Sequence, residues 1–313
     1  MGGFLVICQK ELADHLGSKR FLLLFGLIMI LAVVAAYQGA TSLRDSQTAV
    51  FINIFSGYYG GGFSFTYIMY IFGPIIGLSL GFDAINRERT QGTLSVLLSQ
   101  PIFRDSIING KFLAGICALS LLVVSTIGIM TGVAIPLLGF GPGPEETVRI
   151  VFFTVITMLY FSVWLALGIL FSVITKKTTT SMLLSVSSWL LSVFLITLLT
   201  SVIVNFIVPI QSISGFNQNQ MNDYMTRMQQ RSEMYETIQK VSPSILYQEA
   251  ATSITTVSTS TFSSGYVVTF GSPTAQQDIF ATWPQMTVLA VILIICFAAS
   301  YIIFLRQEIR AGN

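Results

Sequence analysis

The chain has 313 residues, of which only 10% are charged and 53% are hydrophobic. Soluble proteins carry roughly 25% charged residues, so this composition excludes a water-soluble globular domain. The net charge of +2 comes without a basic face, which excludes a nucleic-acid-binding module and nucleic acid as a partner. The composition therefore predicts a polytopic membrane protein.

Six apolar runs are each near the ~20 residues that a helix needs to cross the hydrocarbon core. They are Phe21–Tyr37, Phe63–Phe82, Phe112–Leu138, Val151–Ile174, Met182–Val208 and Met286–Leu305, and none contains Asp, Glu, Lys, Arg or His. Backbone groups in lipid must be satisfied within their own segment, so the predicted fold is an all-α polytopic membrane protein with six transmembrane helices. Because charge-free spans lack the usual groups for ion coupling, passive anchoring stays open as an alternative.

The distribution of Lys and Arg predicts the orientation of the chain. With both termini in the cytoplasm, eleven of these residues lie inside and five outside. Cytoplasmic loops carry the excess of positive charge. We therefore expect a multi-pass protein of the cell membrane with both termini cytoplasmic.

An amphipathic helix is predicted ahead of the first run. Leu5, Cys8, Leu12 and Leu16 recur at three- and four-residue spacing, and Lys10 and Asp14 lie on another face. A helix of this kind beside a span lies in the plane of the lipid headgroups, so membrane lipid is an expected partner.

The second run carries Gly73, Gly77 and Gly81 at four-residue spacing, with Pro74 beside the first. Glycines at this spacing let another helix approach closely, and a proline bends the helix that contains it. The pattern fits packing within the chain, and it also fits a flexing helix that lines a pathway.

The cytoplasmic loop at residues 83–111 contains a short predicted helix. Gly92 breaks the incoming helix, Thr93 caps the next one, and Pro101 ends it. Its leucines share one face, which suits docking into a groove of a soluble partner, although packing against the bilayer is the alternative. The candidate coupling residues are Arg87, Glu88, Arg89, Gly92, Thr93, Leu94, Leu97, Leu98, Pro101 and Arg104.

This loop resembles the cytoplasmic coupling segment of ABC-2-type transporter permeases. The residues that match the family pattern are Glu88, Gly92, Thr93, Leu94, Leu97, Leu98, Ser99, Pro101, Arg104, Gly110 and Lys111. The helix before the first span is similar to the elbow helix of that family, and six spans is the family's number. The run from Ser242-Pro243-Ser244 to Tyr247 also resembles a segment before the last span of several members. The chain is most similar in character to permeases of nitrous-oxide-reductase maturation and of sodium or multidrug efflux.

The resemblance implies a permease that pairs with a second permease copy, as a homodimer, and with two copies of a cytosolic ABC ATPase. ATP and Mg would then belong to the ATPase, and this chain is expected to be no enzyme and to hold no cofactor or metal. A phosphate-binding loop needs Gly five residues before Gly-Lys. Asp105 stands at that position before Gly110-Lys111, so the chain is not expected to bind ATP.

The segment at 206–283 is long for a connection between spans. Its first half predicts a helix with the stripe Met221, Tyr224, Met225, Met228, Tyr235 and Ile238. Its second half predicts a hairpin of Thr256–Phe262 and Tyr266–Phe270 around Ser263-Ser264-Gly265. An extracytoplasmic lid or partner-binding subdomain is one interpretation, and a solvated tether is the other.

The predicted organisation has four parts: the elbow helix at 1–20, spans 1–5 at 21–205, the extracytoplasmic subdomain at 206–283, and the last span with a cytoplasmic tail at 284–313. The expected function is the permease subunit of an ATP-driven exporter. Two alternatives remain, namely a mechanical transducer that acts on an extracytoplasmic partner without moving a solute, and a passive scaffold.

Overall fold

A computed structural model describes residues 2–45, 50–56, 64–92, 104–209, 218–257, 262–263, 266–267 and 275–306. Helices account for nearly all of these residues, which confirms the predicted all-α class. Among them, six helical stretches are long and apolar enough to cross a bilayer. The predicted number of spans is therefore confirmed.

The spanning helices are α2 (Lys19–Asp45), α4 (Phe65–Gly81), α6 (Arg104–Leu138), α7 (Pro144–Ile174), the pair α8 (Thr178–Leu190) and α9 (Ile196–Ile207), and α12 (Ala275–Arg306). A π-helical turn, Leu191–Leu195, joins α8 to α9. The shorter helices are α1 (Gly2–Gly17), α3 (Asn53–Ser56), α5 (Asn86–Thr90), α10 (Gln218–Gln239) and α11 (Pro243–Thr255), and two residue pairs form β1 (Phe262–Ser263) and β2 (Tyr266–Val267).

Successive spans run in opposite directions, so the bundle has two faces. Arg20 at the start of α2 meets Asp83 after the end of α4, and Ser181 at the start of α8 meets Phe82. We call this side, from which α2 starts and at which α12 ends, the terminal face. The other side is the opposite face.

The helices extend beyond the apolar runs on the opposite face. α7 starts at Pro144 rather than Val151, and α12 starts at Ala275 rather than Met286. Hydropathy identifies only the part of a helix that lies in the hydrocarbon core. The additional turns at the start of α7 and α12 lie beyond it and are held by polar contacts. Trp283 is an exposed residue inside α12.

The centre of the core lies between α4 and α7, where Phe65, Phe153, Tyr160 and Trp164 are buried. In contrast, α8–α9 and α12 leave many large apolar side chains exposed, as in Leu198. Such side chains lie against lipid or another membrane chain, because no other environment at that depth suits them.

α1 is a helix as predicted, and of its predicted apolar face Cys8 is buried, Leu12 and Leu16 pack against the core, and Leu5 departs. Leu5 is 62% exposed, whereas Ile7 and Cys8 are buried. Ile7 packs against Gly110 of α6, where a Cβ would come within 2.8 Å of Ile7 Cγ2.

The outer segment contains the predicted helix and a short part of the predicted hairpin. In the hairpin, Phe262 pairs with Val267 and Ser263 pairs with Tyr266 in antiparallel register, while 258–261, 264–265 and 268–274 lie outside the described residues. Among residues 221–239 of α10, the buried side chain does not belong to the Met/Tyr stripe. It is Arg231, whose guanidinium donates to Asn205 Oδ1 at 2.6 Å and to the Val208 carbonyl.

Candidate functional site

A buried ionic cluster joins three elements at the terminal face. Lys111 Nζ of α6 lies 2.9 Å from Glu11 Oε1 of α1 and 2.7 Å from Glu88 Oε1 of α5, and the lysine side chain is 5% exposed. Bonds between charged groups at these distances are about twice as strong as neutral ones. We call Glu11, Glu88 and Lys111 the terminal junction.

Glycine explains why α1 reaches this site. Gly110 precedes Lys111, and its missing side chain admits Ile7 of α1 at close range. Glu11 is one helical turn beyond Ile7 and therefore lies beside Lys111. The Gly-Lys pair thus supplies both the close approach and the cation.

Hydroxyl groups attach the same region to α7 and α8. Ser172 Oγ accepts from the amides of Ile85 and Asn86 at 3.0 and 3.1 Å, and Asn86 Nδ2 donates to Thr175 Oγ1 at 2.7 Å. Ser181 Oγ donates to the Phe82 carbonyl at 2.7 Å. Together with the Arg20–Asp83 and Lys111–Glu88 ion pairs, these bonds fix the chain between α4 and residue 92 to the ends of four spans, namely α2, α6, α7 and α8.

The candidate coupling residues differ in how the structure places them: one is exposed, others are bonded or lie at helix ends, and five lie outside the described residues. Arg87 is exposed, whereas Glu88 faces Lys111 and Arg89 donates to the Thr175 carbonyl at 3.3 Å. Gly92 has a φ of 71°, which glycine adopts readily at a helix end. Arg104 begins α6, and Thr93, Leu94, Leu97, Leu98 and Pro101 lie outside the described residues.

The glycine strip of α4 lies against α7. A Cβ on Gly73 would come within 2.4 Å of Phe161, and one on Gly77 within 2.6 Å of the Phe161 carbonyl. Gly81 faces Gly168, whose own Cβ would come within 3.0 Å of the Gly81 Cα. Pro74 is buried within the same helix. These glycines are placed at a helix contact within the chain.

A second polar cluster lies among the spans. Tyr160 Oη of α7 lies 2.9 Å from the Tyr70 carbonyl and 3.0 Å from Ser244 Oγ. Ser192 Oγ lies 2.8 Å from Ser242 Oγ and 2.9 Å from Ser244 Oγ. We call Tyr160, Ser192, Ser242 and Ser244, all buried, the hydroxyl cluster.

The depth of this cluster follows from helix rise. Ser192 is 15 residues along the chain from Lys177, and Tyr160 is 15 residues from Thr175. At 1.5 Å per residue both lie about 22 Å from the terminal face, within a hydrocarbon core of about 30 Å. The N-terminus of α11 therefore enters the bundle from the opposite face, and protein rather than lipid surrounds it, as exposed backbone at that depth requires.

The π-helical turn Leu191–Leu195 lies at the cluster, and two of its backbone carbonyls accept hydrogen bonds, one from the cluster and one from the nearby Tyr70. The Ser192 carbonyl accepts from Ser242 Oγ at 2.9 Å, and the Val193 carbonyl accepts from Tyr70 Oη at 3.3 Å. π-helical turns occur frequently at functional sites. Sequence periodicity did not predict this turn, because one additional residue in an apolar helix changes the hydrophobic pattern very little.

Further contacts hold α11 in place. The Tyr247 ring stacks on Tyr160 with centroids 4.2 Å apart. Nearer the opposite face, Arg149 Nη1 donates to the Ile254 carbonyl at 3.1 Å and pairs with Asp278 at 2.6 Å. α7, α11 and α12 are thereby joined outside the apolar runs.

The bundle and its two polar clusters define the class of protein, a multi-pass helical membrane protein with a re-entrant segment before its last span. The family model described as ABC-2 family transporter protein matches residues 5–309. The chain belongs to the ABC-2 transporter family, and the resemblance seen in the coupling loop is confirmed.

Two curated relatives share part of the sequence, and both are named probable ABC transporter permease protein NosY. The one from Stutzerimonas stutzeri is 34% identical over 122 residues, which cover 39% of this chain and 42% of the relative. The one from Pseudomonas aeruginosa is 34% identical over 108 residues, which cover 34% of this chain and 36% of the relative. In both cases the match spans less than half of the relative.

Proposed function

We propose that this chain is the permease subunit of an ATP-driven exporter. Two copies would form a homodimer in the cell membrane, with both termini and the terminal face in the cytoplasm. Two copies of a separate ABC ATPase would bind ATP and Mg and dock at residues 93–101. The chain itself would carry out no chemistry and would hold no cofactor.

The terminal junction is the observation that carries this proposal. Residue 92 leads directly into the predicted docking helix, and the chain before it is fixed to α1, α6 and α7 through Glu88, Asn86 and Ser172. A displacement of the docking helix by an ATPase would consequently pull on all three of these elements at once. A passive scaffold has no need of such connections.

The homodimer is supported by uncovered apolar surface. Leu183, Leu198 and Val202 of α8 and α9 are exposed in the single chain. A second copy that packs along α8–α9 would bring two π-helical turns towards one central pathway. Movement of solute between the copies would then depend on how these helices tilt.

Native mass measurement of the complex tests the assembly. The chain is produced with the ATPase encoded beside it, purified into nanodiscs, and weighed. We expect two permease copies with two ATPase copies, together with uptake of solute into inverted vesicles on addition of ATP. A stable monomer without a nucleotide-binding partner would contradict the proposal.

A mechanical transducer is the second candidate, and the hydroxyl cluster favours it. Ser192 of the π-helical turn contacts Ser242 and Ser244, so tilting of α8–α9 would move the segment that leads to the opposite face. Deletion of Asn217–Lys240 should leave ATPase docking intact in both cases. If ATP drives release or recruitment of an external protein and no solute crosses the membrane, the transducer is correct and the exporter is wrong.

Proteolysis in the intact complex tests whether the outer segment is a folded subdomain. Trypsin added at the opposite face should cut slowly after Arg231, because its guanidinium is buried against Asn205. Arg227, whose side chain is 36% exposed, serves as the reference site in the same helix. Equally rapid cleavage at both positions would indicate a loose tether.

A further inference from the structure

A cavity of about 550 Å³ opens beside the terminal junction. Its walls come from α1, the start of α2, the end of α4, α5 and α6. Because α2 begins at Lys19 and α4 ends at Gly81, the cavity lies where two spans leave the hydrocarbon. This is the level of the lipid headgroups. The volume is within the range of sites for small molecules.

The lining of the cavity carries charges of both signs. Five side chains are cationic and four are carboxylates. Some of them neutralise one another, since Arg20 Nη1 lies 2.9 Å from Asp83 Oδ2 and Lys111 is held by two glutamates. Lys19 and Arg87 are exposed, and neither has an ion pair within the part of the chain that the structure describes.

Acceptor groups are also available at the rim. Asp14 is 61% exposed and lies 3.8 Å from Lys10 Nζ, a distance too long for a hydrogen bond. Its carboxylate can therefore accept from a ligand. Phe21 and Leu80, which are almost fully buried, form the apolar part of the lining of the same cavity.

This arrangement selects among ligand chemistries. A simple anion would lie close to four carboxylates, and a simple cation would lie close to five cationic side chains. A zwitterion with a phosphate and an ammonium can pair with both. A primary ammonium has N–H donors for Asp14, whereas a trimethylated ammonium has none.

We propose that the cavity binds the headgroup of a zwitterionic phospholipid with a primary ammonium, the phosphatidylethanolamine class. The phosphate lies beside Lys19 and Arg87, and the ammonium lies beside Asp14. The acyl chains follow the apolar side of the cavity into the leaflet at the terminal face. Such a lipid would occupy the corner between α1, α2 and α5.

Lipid retention by the full chain tests this proposal. The protein is placed in nanodiscs with equal amounts of phosphatidylethanolamine, phosphatidylcholine and phosphatidylglycerol, transferred to detergent, and weighed with its retained lipid. We expect phosphatidylethanolamine to be enriched about tenfold over the other two, the effect of one additional charge-assisted hydrogen bond.

Two variants separate the phosphate contact from the ammonium contact. Lys19→Gln should lower retention of both zwitterionic lipids, while Asp14→Asn should remove only the preference for phosphatidylethanolamine over phosphatidylcholine. Arg44→Gln, at the other end of α2, is the matched control and should change neither. All three sites are exposed, so thermal unfolding should be the same as for the unchanged chain.

Several outcomes would overturn the proposal. Equal retention of the three lipids, or strongest retention of phosphatidylglycerol, would exclude recognition of an ammonium. Variants that retain lipid as the unchanged chain does would place the lipid elsewhere. Binding of soluble glycerophosphoethanolamine as tightly as the lipid would identify a free headgroup compound as the ligand. Loss of lipid when the ATPase docks would show that protein occupies the cavity.

Discussion

The terminal junction and the hydroxyl cluster connect helices in different ways. The junction places one ammonium between two carboxylates, and each partner has one role, because a carboxylate only accepts and an ammonium only donates. In the hydroxyl cluster, Ser192 lies within hydrogen-bond distance of both Ser242 and Ser244, and each hydroxyl can donate or accept. The junction is therefore suited to a fixed connection. The hydroxyl cluster is suited to a helix contact in which the hydroxyl groups can exchange hydrogen-bond partners.

Loss of the cation from the junction gives the largest expected effect. Lys111→Met leaves Glu11 and Glu88 close together in a buried site, and breaking a buried ion pair in this way costs about 3–5 kcal/mol. We expect a large drop in the thermal stability of the purified chain. The triple variant Lys111→Met, Glu11→Gln, Glu88→Gln should recover most of it, since no unpaired charge remains. If the single variant is as stable as the unchanged chain, the junction is not a fixed connection.

The docking helix should be the next most sensitive element. If the ATPase docks at residues 93–101 as proposed, Leu97→Asp or Leu98→Asp places a charge in the apolar docking groove, and loss of an interface anchor costs about 2 kcal/mol or more. ATPase stimulation by the permease should fall steeply, as measured by phosphate release from the reconstituted complex. Val241→Asp, an exposed position of the outer segment, is the control and should leave stimulation unchanged. Normal stimulation with Leu97→Asp would remove residues 93–99 as the transmission element.

A smaller effect is expected at the hydroxyl cluster. Ser192→Ala removes one group from a set that can form other pairs, so the loss of stability should be about 1 kcal/mol. Ser201→Ala is the comparison, because Ser201 Oγ donates to the Leu198 carbonyl of its own helix. Tryptic cleavage after Arg231 should become faster with Ser192→Ala and not with Ser201→Ala. Identical cleavage rates would mean that the cluster does not hold the outer segment.

The smallest expected effect is the dependence of stability on the protonation of His15, which lies beside the terminal junction. Burial lowers the pKa of His15 below its usual 6.5, against the opposing effect of Glu11, while Lys111 lowers it further and Asp83 and Asp14 raise it. The folded chain therefore binds fewer protons than the unfolded chain, so stability falls as pH decreases through 6.5 towards the folded pKa. His15→Gln should reduce this part of the pH dependence in thermal unfolding. If the unfolding temperature depends on pH as in the unchanged chain, His15 is equally protonated in the folded and unfolded states.

The fold was predictable because burial in lipid is recorded locally in the sequence. A charge-free run of about 20 residues predicts its helix without knowledge of any tertiary contact. α11 gave no such signal, because Glu249, Gln248 and several hydroxyl residues interrupt it and its burial is against protein rather than lipid. Its entry among the spans depends on partners on α7 and the π-helical turn, which lie far away in the sequence.

The site was predictable in part. The family pattern identified Glu88 and Lys111 as members of one loop, but it did not indicate that their side chains meet. Nor did it indicate that Glu11 of the elbow helix reaches the same lysine, where Gly110 admits α1 at close range. Side-chain partners across 100 residues of sequence, as between Glu11 and Lys111, are set by packing and not by local spacing.

The glycine contact between α4 and α7 limits the mechanical freedom of the whole bundle. Gly81 and Gly168 bring the two backbones so close that neither helix can rotate about its own axis without a collision. The helices α4 and α7 must then move together as one rigid body, with the terminal junction at one end and Tyr160 near its middle. Relative motion is left to the contacts around this pair, and spectroscopic labels on α4 and α7 should report a constant separation through every step of the proposed transport cycle.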